Sequence, residues 1–336
     1  MGYSSQAGQV ILRSQTVAGT YNADTGTLGV GTLLRGGSLG TNRDLLIPDA
    51  EIGGGRDVTD AYLGGASWSG DYEMYARLDS LTTLMKSCLG TIGSVVTTGI
   101  TTNTITPLDS GTLPFLSIEE NIGGSLETYR YNDCVVNSLH LEVDANGYLM
   151  ATAGIIGAKQ IAGATKTPTP VWDQLPMIVG TNCTITYNAV SMPAKSFSLD
   201  INNNFEDDDF RLGSFYIGDL TAKRREVTAG FTIRESSSAL WRQATYGLPA
   251  ATEVGGLTTK NQLIISCLTY ESIAGGTPTT PNTLTITIPK FILSPYTLAA
   301  SGDDIIDSDL TGQAVRPLLA TPIITVVTKT ARALVA

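Results

Sequence analysis

From Ser67 to Leu78 apolar and polar positions alternate. Trp68, Tyr72, Met74, Ala76 and Leu78 fall on one face, and Ser67, Ser69, Asp71, Glu73, Tyr75 and Arg77 on the other. A period of two is the mark of a strand with one face buried. At Asp79 the period changes: Leu81, Leu84, Met85, Cys88 and Leu89 follow helical spacing, and the run stops at Gly90. This predicts a strand over 68–78 running into a short helix, capped by Asp79 or Ser80 and ended by Gly90.

A similar unit recurs over 227–247. At an offset of 157 residues, Tyr72, Met74 and Ala76 fall on Ala229, Phe231 and Ile233, Leu84 on Trp241, and Gly90 on Gly247. Val227, Ala229, Phe231 and Ile233 alternate with Thr228, Gly230, Thr232 and Arg234. Ser236–Ser238 supply caps for a helix carrying Leu240, Trp241 and Ala244. Identity between the two units is low, and Leu81 falls on Ser238, so the helical faces match only in part.

Elsewhere the pattern reads as short strands and loops. Apolar runs at Val10–Leu12 and Leu28–Leu34 precede a long Gly-rich loop over 36–55. Residues 92–112 read as a hairpin or loop, and strands follow at Leu113–Glu119, Tyr129–Val143 and Tyr148–Ile155. Asn146-Gly147 predicts a tight turn between the last two, since Asn-Gly supplies positive φ angles. Residues 158–176, with Thr165-Lys166-Thr167-Pro168-Thr169-Pro170, have a linker-like composition and mark a domain boundary. Beyond it, Cys183–Tyr187 and Ser196–Ile201 suggest a hairpin, followed by an acidic loop over 202–209. Leu263–Leu268, Thr283–Ile288 and Ile323–Thr328 complete the strands.

Composition agrees with a chain of strands and flat polar surfaces. Charged residues make up 15% of the 336, and Thr, Gly and Ser take their place; soluble domains average about 25% charged. The net charge of −10 argues against stable binding of nucleic acid. Cys88, Cys134, Cys183 and Cys267 match no zinc or redox spacing and read as free thiols of a reducing compartment. The N-terminus lacks the pattern of a signal peptide, and no apolar run approaches the ~18 residues of a membrane helix. Both point to synthesis in a cytoplasm and no membrane partner.

Candidate chemistry is sparse. The single histidine, His140, lies on the polar face of a strand. No GxSxG elbow, P-loop lysine or complete dinucleotide fingerprint occurs. Glu206-Asp207-Asp208-Asp209 lacks the ligand spacing of a calcium loop. Glu119 and Glu120 are adjacent on a strand and point to opposite faces, which rules them out as a glycosidase pair. No catalytic residue, cofactor or metal site is expected.

Three stretches, taken in order, resemble the tail tube proteins of long-tailed bacteriophages. They are Ile52–Asp57 leading through Trp68–Glu73 into Asp79–Gly90; Tyr129–Leu139 with the Asn146-Gly147 turn; and Phe197–Asn204 followed by Lys223–Thr232. Ile286–Lys290 also fits. The resemblance implies a mainly β chain of two tandem tail-tube-like β-sandwich or barrel domains, 1–165 and 177–336, each with a short flanking α-helix and joined by a linker at 166–176. It implies a structural virion protein, not an enzyme, that self-assembles into stacked rings forming a channel for genome DNA. Two domains per chain would make the ring a trimeric pseudo-hexamer, with a hexamer of single-copy chains as the alternative. Asp71, Glu73, Arg77, Thr228 and Thr232 are then expected to face the lumen. The arm over 13–60 and the acidic loop over 202–215, with Glu206, Asp207, Asp208 and Asp209, are expected to stack rings. The expected partners are further copies of the chain, the tape-measure protein, the tail terminator and tip proteins, and double-stranded DNA in transient passage through a non-contractile tail. A capsid decoration or adhesion module is the alternative.

Overall fold

A computed structural model describes residues 4–24, 29–58, 60–109, 111–235, 237–256, 258–273, 280–298, 306–317 and 321–332. Leu28 and Ser236, named above in an apolar run and a helix cap, lie outside them. The strands of the first half are β1 (Gln9–Ser14), β2 (Gly29–Thr32), β3 (Leu34–Gly36), β4 (Gly40–Leu46), β5 (Tyr62–Tyr75), β6 (Gly90–Thr97), β7 (Ile100–Pro107), β8 (Leu116–Ile122), β9 (Glu127–Asp144) and β10 (Met150–Ile161), with helix α1 (Leu78–Leu89) after β5. The second half holds β11 (Cys183–Tyr187), β12 (Val190–Met192), β13 (Ala194–Asn202), β14 (Glu226–Arg234), helix α2 (Ala239–Tyr246), β15 (Asn261–Ser272), β16 (Pro281–Leu293), β17 (Asp307–Ala314) and β18 (Thr325–Thr330). The mainly β fold expected from the sequence is what the chain adopts, and every strand pairing is antiparallel.

Two long strands organise the sheet. β10 runs along one edge of β9, while the other edge of β9 pairs first with β8 and then with β13. β16 repeats the device: β15 lies along one edge, and β18 and then β17 share the other. The β9–β13 pairing crosses between the halves, and β18 returns to pair with β7 of the first half. One apolar cluster accordingly runs from Val10 to Val326 and includes residues of both halves.

Helix α1 is buried along its whole length, wrapped by strands from both halves. Thr82 hydrogen-bonds Thr328 at 2.9 Å and Lys86 donates to Ser14 Oγ at 3.3 Å, so these buried polar groups find partners inside. Its cap differs from expectation. Arg77 holds the N-cap position, and neither Asp79 nor Ser80 caps through its side chain. Asp173, fully buried in the predicted linker, accepts the Ser80 amide at 2.7 Å instead. Helix α2 is half-exposed, with Gln243 its one buried residue. Both helices end at a glycine with positive φ, Gly90 at 126° and Gly247 at 91°, as anticipated.

Several boundaries move. β5 begins earlier and ends at Tyr75, because Ala76 and Arg77 turn away to bond elsewhere. The expected loop over 36–55 contains a strand, β4, which pairs with the first half of β5. Of the expected arm over 13–60, Arg13–Ser14 and Gly29–Thr32 lie in buried strands, so the projecting part begins after β3. Cys183–Tyr187 turns back onto β12, not onto Ser196–Ile201, which pairs with β9 and β14. The 144–147 turn closes by a Gly147 N–H to Asp144 O bond of 2.9 Å, with neither Asn146 nor Gly147 at positive φ.

Candidate functional site

The strands β5, β10, β9, β13, β14 and β17 lie side by side and present one continuous polar face. The register carries the same face across all of them. Glu73, Thr152, His140, Asp200, Thr228 and Gln313 form one cross-strand row. Asp71, Gly154, Ser138, Asn202 and Glu226 form the next. On the reverse face Tyr72, Met74, Leu139, Leu141, Leu199, Ala229, Phe231 and Leu310 are buried in the core. Alternation along the facing stretches of these strands thus separates an apolar core from a polar surface.

Carboxylates dominate that surface: Asp71, Glu73, Glu142, Asp144, Asp200, Glu226, Asp307 and Asp309 are all exposed. The cations on it are mostly tied down. Lys195 and Arg234 both bond Asp307. Arg35 lies at the edge, with its guanidinium 5.4 Å from the centre of the Tyr75 ring. His140 Nδ1 lies 2.6 Å from Asp200 and Nε2 3.4 Å from Glu142. Partial burial alone would lower the imidazole's pKa; the hydrogen bond that the ring donates to Asp200 and the charges of Asp200 and Glu142 outweigh it and raise the pKa above the ordinary value. A shallow groove of about 520 Å³ opens here, lined by Arg35, Tyr75, Glu142, Asp144, Thr232 and Asp309.

Of the residues singled out in the sequence, Asp71, Glu73, Thr228 and Thr232 share this face. Arg77 does not. It sits past the end of β5, and its guanidinium donates to the Leu175 carbonyl. Sequence reasoning missed His140, Asp200 and Glu226 as members, although the alternation of β9, β13 and β14 contained the signal, and missed Asp309 because β17 was not anticipated.

A second surface projects from the sheet. β4 and the first half of β5 form a two-stranded arm whose residues Leu45, Leu46, Tyr62 and Leu63 are all more than half exposed. Trp68 Nε1 donates to Thr41 Oγ1 at 3.0 Å and pins the arm's base. Gly70 permits the close approach there: a Cβ on it would lie 2.1 Å from the Ser38 carbonyl oxygen. Beside the arm lies a strap over 203–225 from the second half. Phe205, Ile217 and Leu220 of the strap cover Val135, Ile156 and Ala158 and form a small second core. Phe210 lies across Gly65, where a Cβ would meet its ring at 2.6 Å, and Ala66 N–H bonds the Phe215 carbonyl at 2.8 Å. Leu212 and Phe215 remain exposed. Within the acidic run, Asp207 and Asp208 are exposed, Asp209 is paired by Arg211 at 2.6 Å, and Glu206 lies 3.9 Å from Lys223. The strap is anchored at both ends. Asn203 donates to Cys88 O and Val136 O, and Arg225 reaches Asn203 Oδ1 and Leu89 O at the end of α1.

Adjacent glutamates on β8 tie down two different segments. Glu119 accepts from the Thr167 amide at 2.7 Å, Thr167 Oγ1 at 2.8 Å and Tyr21 OH at 3.0 Å, with Arg13 3.6 Å away. Burial pushes its pKa up, and these donors and Arg13 more than reverse that, leaving it below the usual range. Glu120, on the opposite face, accepts from Tyr131 OH, Tyr72 OH and the Leu39 amide at the arm's root, and burial raises its pKa. The opposite orientation expected of this pair is what the strand imposes.

Among the described residues no cluster of His, Cys, Asp and Glu is arranged to hold a metal ion, and no helix is long and apolar enough to cross a membrane. The residues that carried the resemblance have structural work: Trp68 and Gly70 seat the arm, Asn203 and Arg225 tie the strap to α1, and Tyr131 bonds Glu120. A comparison with curated proteins gives no match. The phage tail tube protein family, however, matches over residues 4–314. The chain therefore belongs to the phage tail tube protein family and is a structural protein of the bacteriophage tail.

Proposed function

We propose that the chain assembles into rings that stack into the tail tube, with the polar face of β5, β10, β9, β13, β14 and β17 turned to the lumen. One observation carries the reading: a continuous polar face, its exposed charges mostly carboxylates, spans six paired strands and both halves of the chain. Phosphates meet an excess of carboxylates there, so double-stranded DNA passes without being held. Rings close when heterologous contacts return on themselves by rotation, and a closed sheet removes exposed edges. The strand–helix unit at β5–α1 and again at β14–α2 supports three chains per ring, each supplying two of six positions. The arm and the strap, with Asp207 and Asp208 at its surface, form the contacts between rings. The tape-measure, terminator and tip proteins meet the tube inside and at its ends, and the tail is non-contractile.

Electron microscopy of the purified protein is the direct test. Hollow tubes or discs with three chains per ring, measured by mass, are the expected result. A monomer that never polymerises at any salt or protein concentration overturns the reading, and six chains per ring overturns the stoichiometry.

A further inference from the structure

Cys183 on β11 and Cys267 on β15 stand directly opposite each other in the antiparallel register. Both point to the core side of their strands; Cys267 is buried and Cys183 half-buried. Opposed residues of an antiparallel pair have Cα atoms about 4.5–5.5 Å apart, inside the roughly 4.4–6.8 Å that a disulfide spans. Cys183 packs against the same apolar core that contains Cys267. Cys183 Sγ donates to the Val179 carbonyl at 3.7 Å. A cleft of about 40 Å³ between Asp144, Gly180 and Ala194 reaches Cys183. The other two cysteines are differently placed. Cys88 Sγ faces Asn203, and Cys134 Sγ points to the Asn132 carbonyl at 3.9 Å; both are fully buried.

We propose that Cys183 and Cys267, free thiols as synthesised, close a disulfide across β11 and β15 once the protein meets an oxidising small-molecule disulfide. The thiolate of Cys183 attacks that disulfide, releases one reduced thiol and forms a mixed disulfide. Cys267 then gives up its proton, and its sulfur displaces the second reduced thiol as the Sγ–Sγ bond forms. Two electrons and two protons pass from the protein to the oxidant. Cys267 is buried, so closure is slow, on the order of minutes to hours. Reducing compartments prevent the reaction and oxidising surroundings permit it. The bond staples the strand that follows the 166–176 segment to the body of the second half. It restrains the long unfolded loop between the two positions.

The test needs no partner. Purified protein is incubated with oxidised glutathione, then denatured with an alkylating agent, and the blocked thiols are counted by mass. Two thiols of the four should escape alkylation, with a linked peptide pair containing Cys183 and Cys267. The melting temperature should rise, and dithiothreitol should reverse all three changes. Cys183→Ser and Cys267→Ser should each abolish the protection and the gain in melting temperature. Four alkylated thiols after oxidation, a link between different chains, or a gain that survives Cys183→Ser overturns the proposal.

Discussion

His140 is the one histidine of the chain and sits at the centre of the polar face. Its neighbours Asp200 and Glu142 favour the charged ring, so its folded pKa lies above the ordinary 6.5. A raised folded value adds stability that is complete below the unfolded pKa and is lost as pH rises through the folded one. The pair is partly exposed, which limits the effect to under about 1 kcal/mol. The ring's NMR titration midpoint should exceed 6.5, and Asp200→Asn should lower it; an unchanged midpoint would remove the ion pair from the account. Asp79 behaves in the opposite sense to an ordinary surface carboxylate. Burial first, and then the charge of Asp173, push its pKa up to about 7, while Arg332 and Thr330 partly offset them. Its Oδ1 has no hydrogen-bond partner among the described residues. Its ionisation therefore opposes folding, and this residue's contribution falls as pH rises from the ordinary carboxylate range toward neutrality. Asp79→Asn should stabilise the protein by about 1–3 kcal/mol at about pH 8 and leave it unchanged at about pH 4. Thermal melts at the two pH values check this; a loss at the higher pH would mean that Arg332 makes the carboxylate favourable.

At the scale of elements, the strands with one wet and one buried face were legible. Tyr72 and Met74 of β5, Leu199 of β13 and Phe231 of β14 mark their cores by alternation alone. β4 was not, because every one of its residues is exposed and no apolar period betrays it. The capping of α1 by Asp173 and the pairing of β9 with β13 depend on residues distant in sequence, which local periodicity does not encode. The face residues were legible only in part: the alternation of β5 marked Asp71 and Glu73, but it continued past the strand's end to Arg77, whose direction is set by the Leu175 carbonyl. The arm also yields a prediction. Leu45, Leu46 and Leu63 are 57%, 55% and 54% exposed, a concentration that invites a partner surface. Replacing all three with Ser should change the stability of the single chain by no more than about 0.5 kcal/mol per site. Tube formation should fall sharply. Normal long tubes from the triple variant, seen by electron microscopy, would take the arm out of the ring contacts.

For the whole molecule, the sign of the polar face is the property to test. Asp71→Lys, Glu73→Lys and Asp200→Lys together reverse charge in adjacent rows without touching the core. Tubes of this variant should still form. They should bind double-stranded DNA at low salt, with an affinity that drops steeply as salt rises, and particles carrying it should eject their genome slowly. Equal DNA binding by variant and parent tubes would place this face outside the lumen. The strap over 203–225 has a different consequence, one of timing. Val135, Ile156 and Ala158 leave the ribosome well before Phe205, Ile217 and Leu220, which cover them. At about 5–20 residues per second the gap lasts roughly 3–12 s. During those seconds the nascent first half shows an oily patch and an unpaired edge of β9 to every other chain on the polysome. A fragment ending at residue 165 should therefore bind hydrophobic dyes and aggregate where the full chain does not. Translation itself orders the pathway: a chain becomes a clean building block only after its own second half has closed over the first.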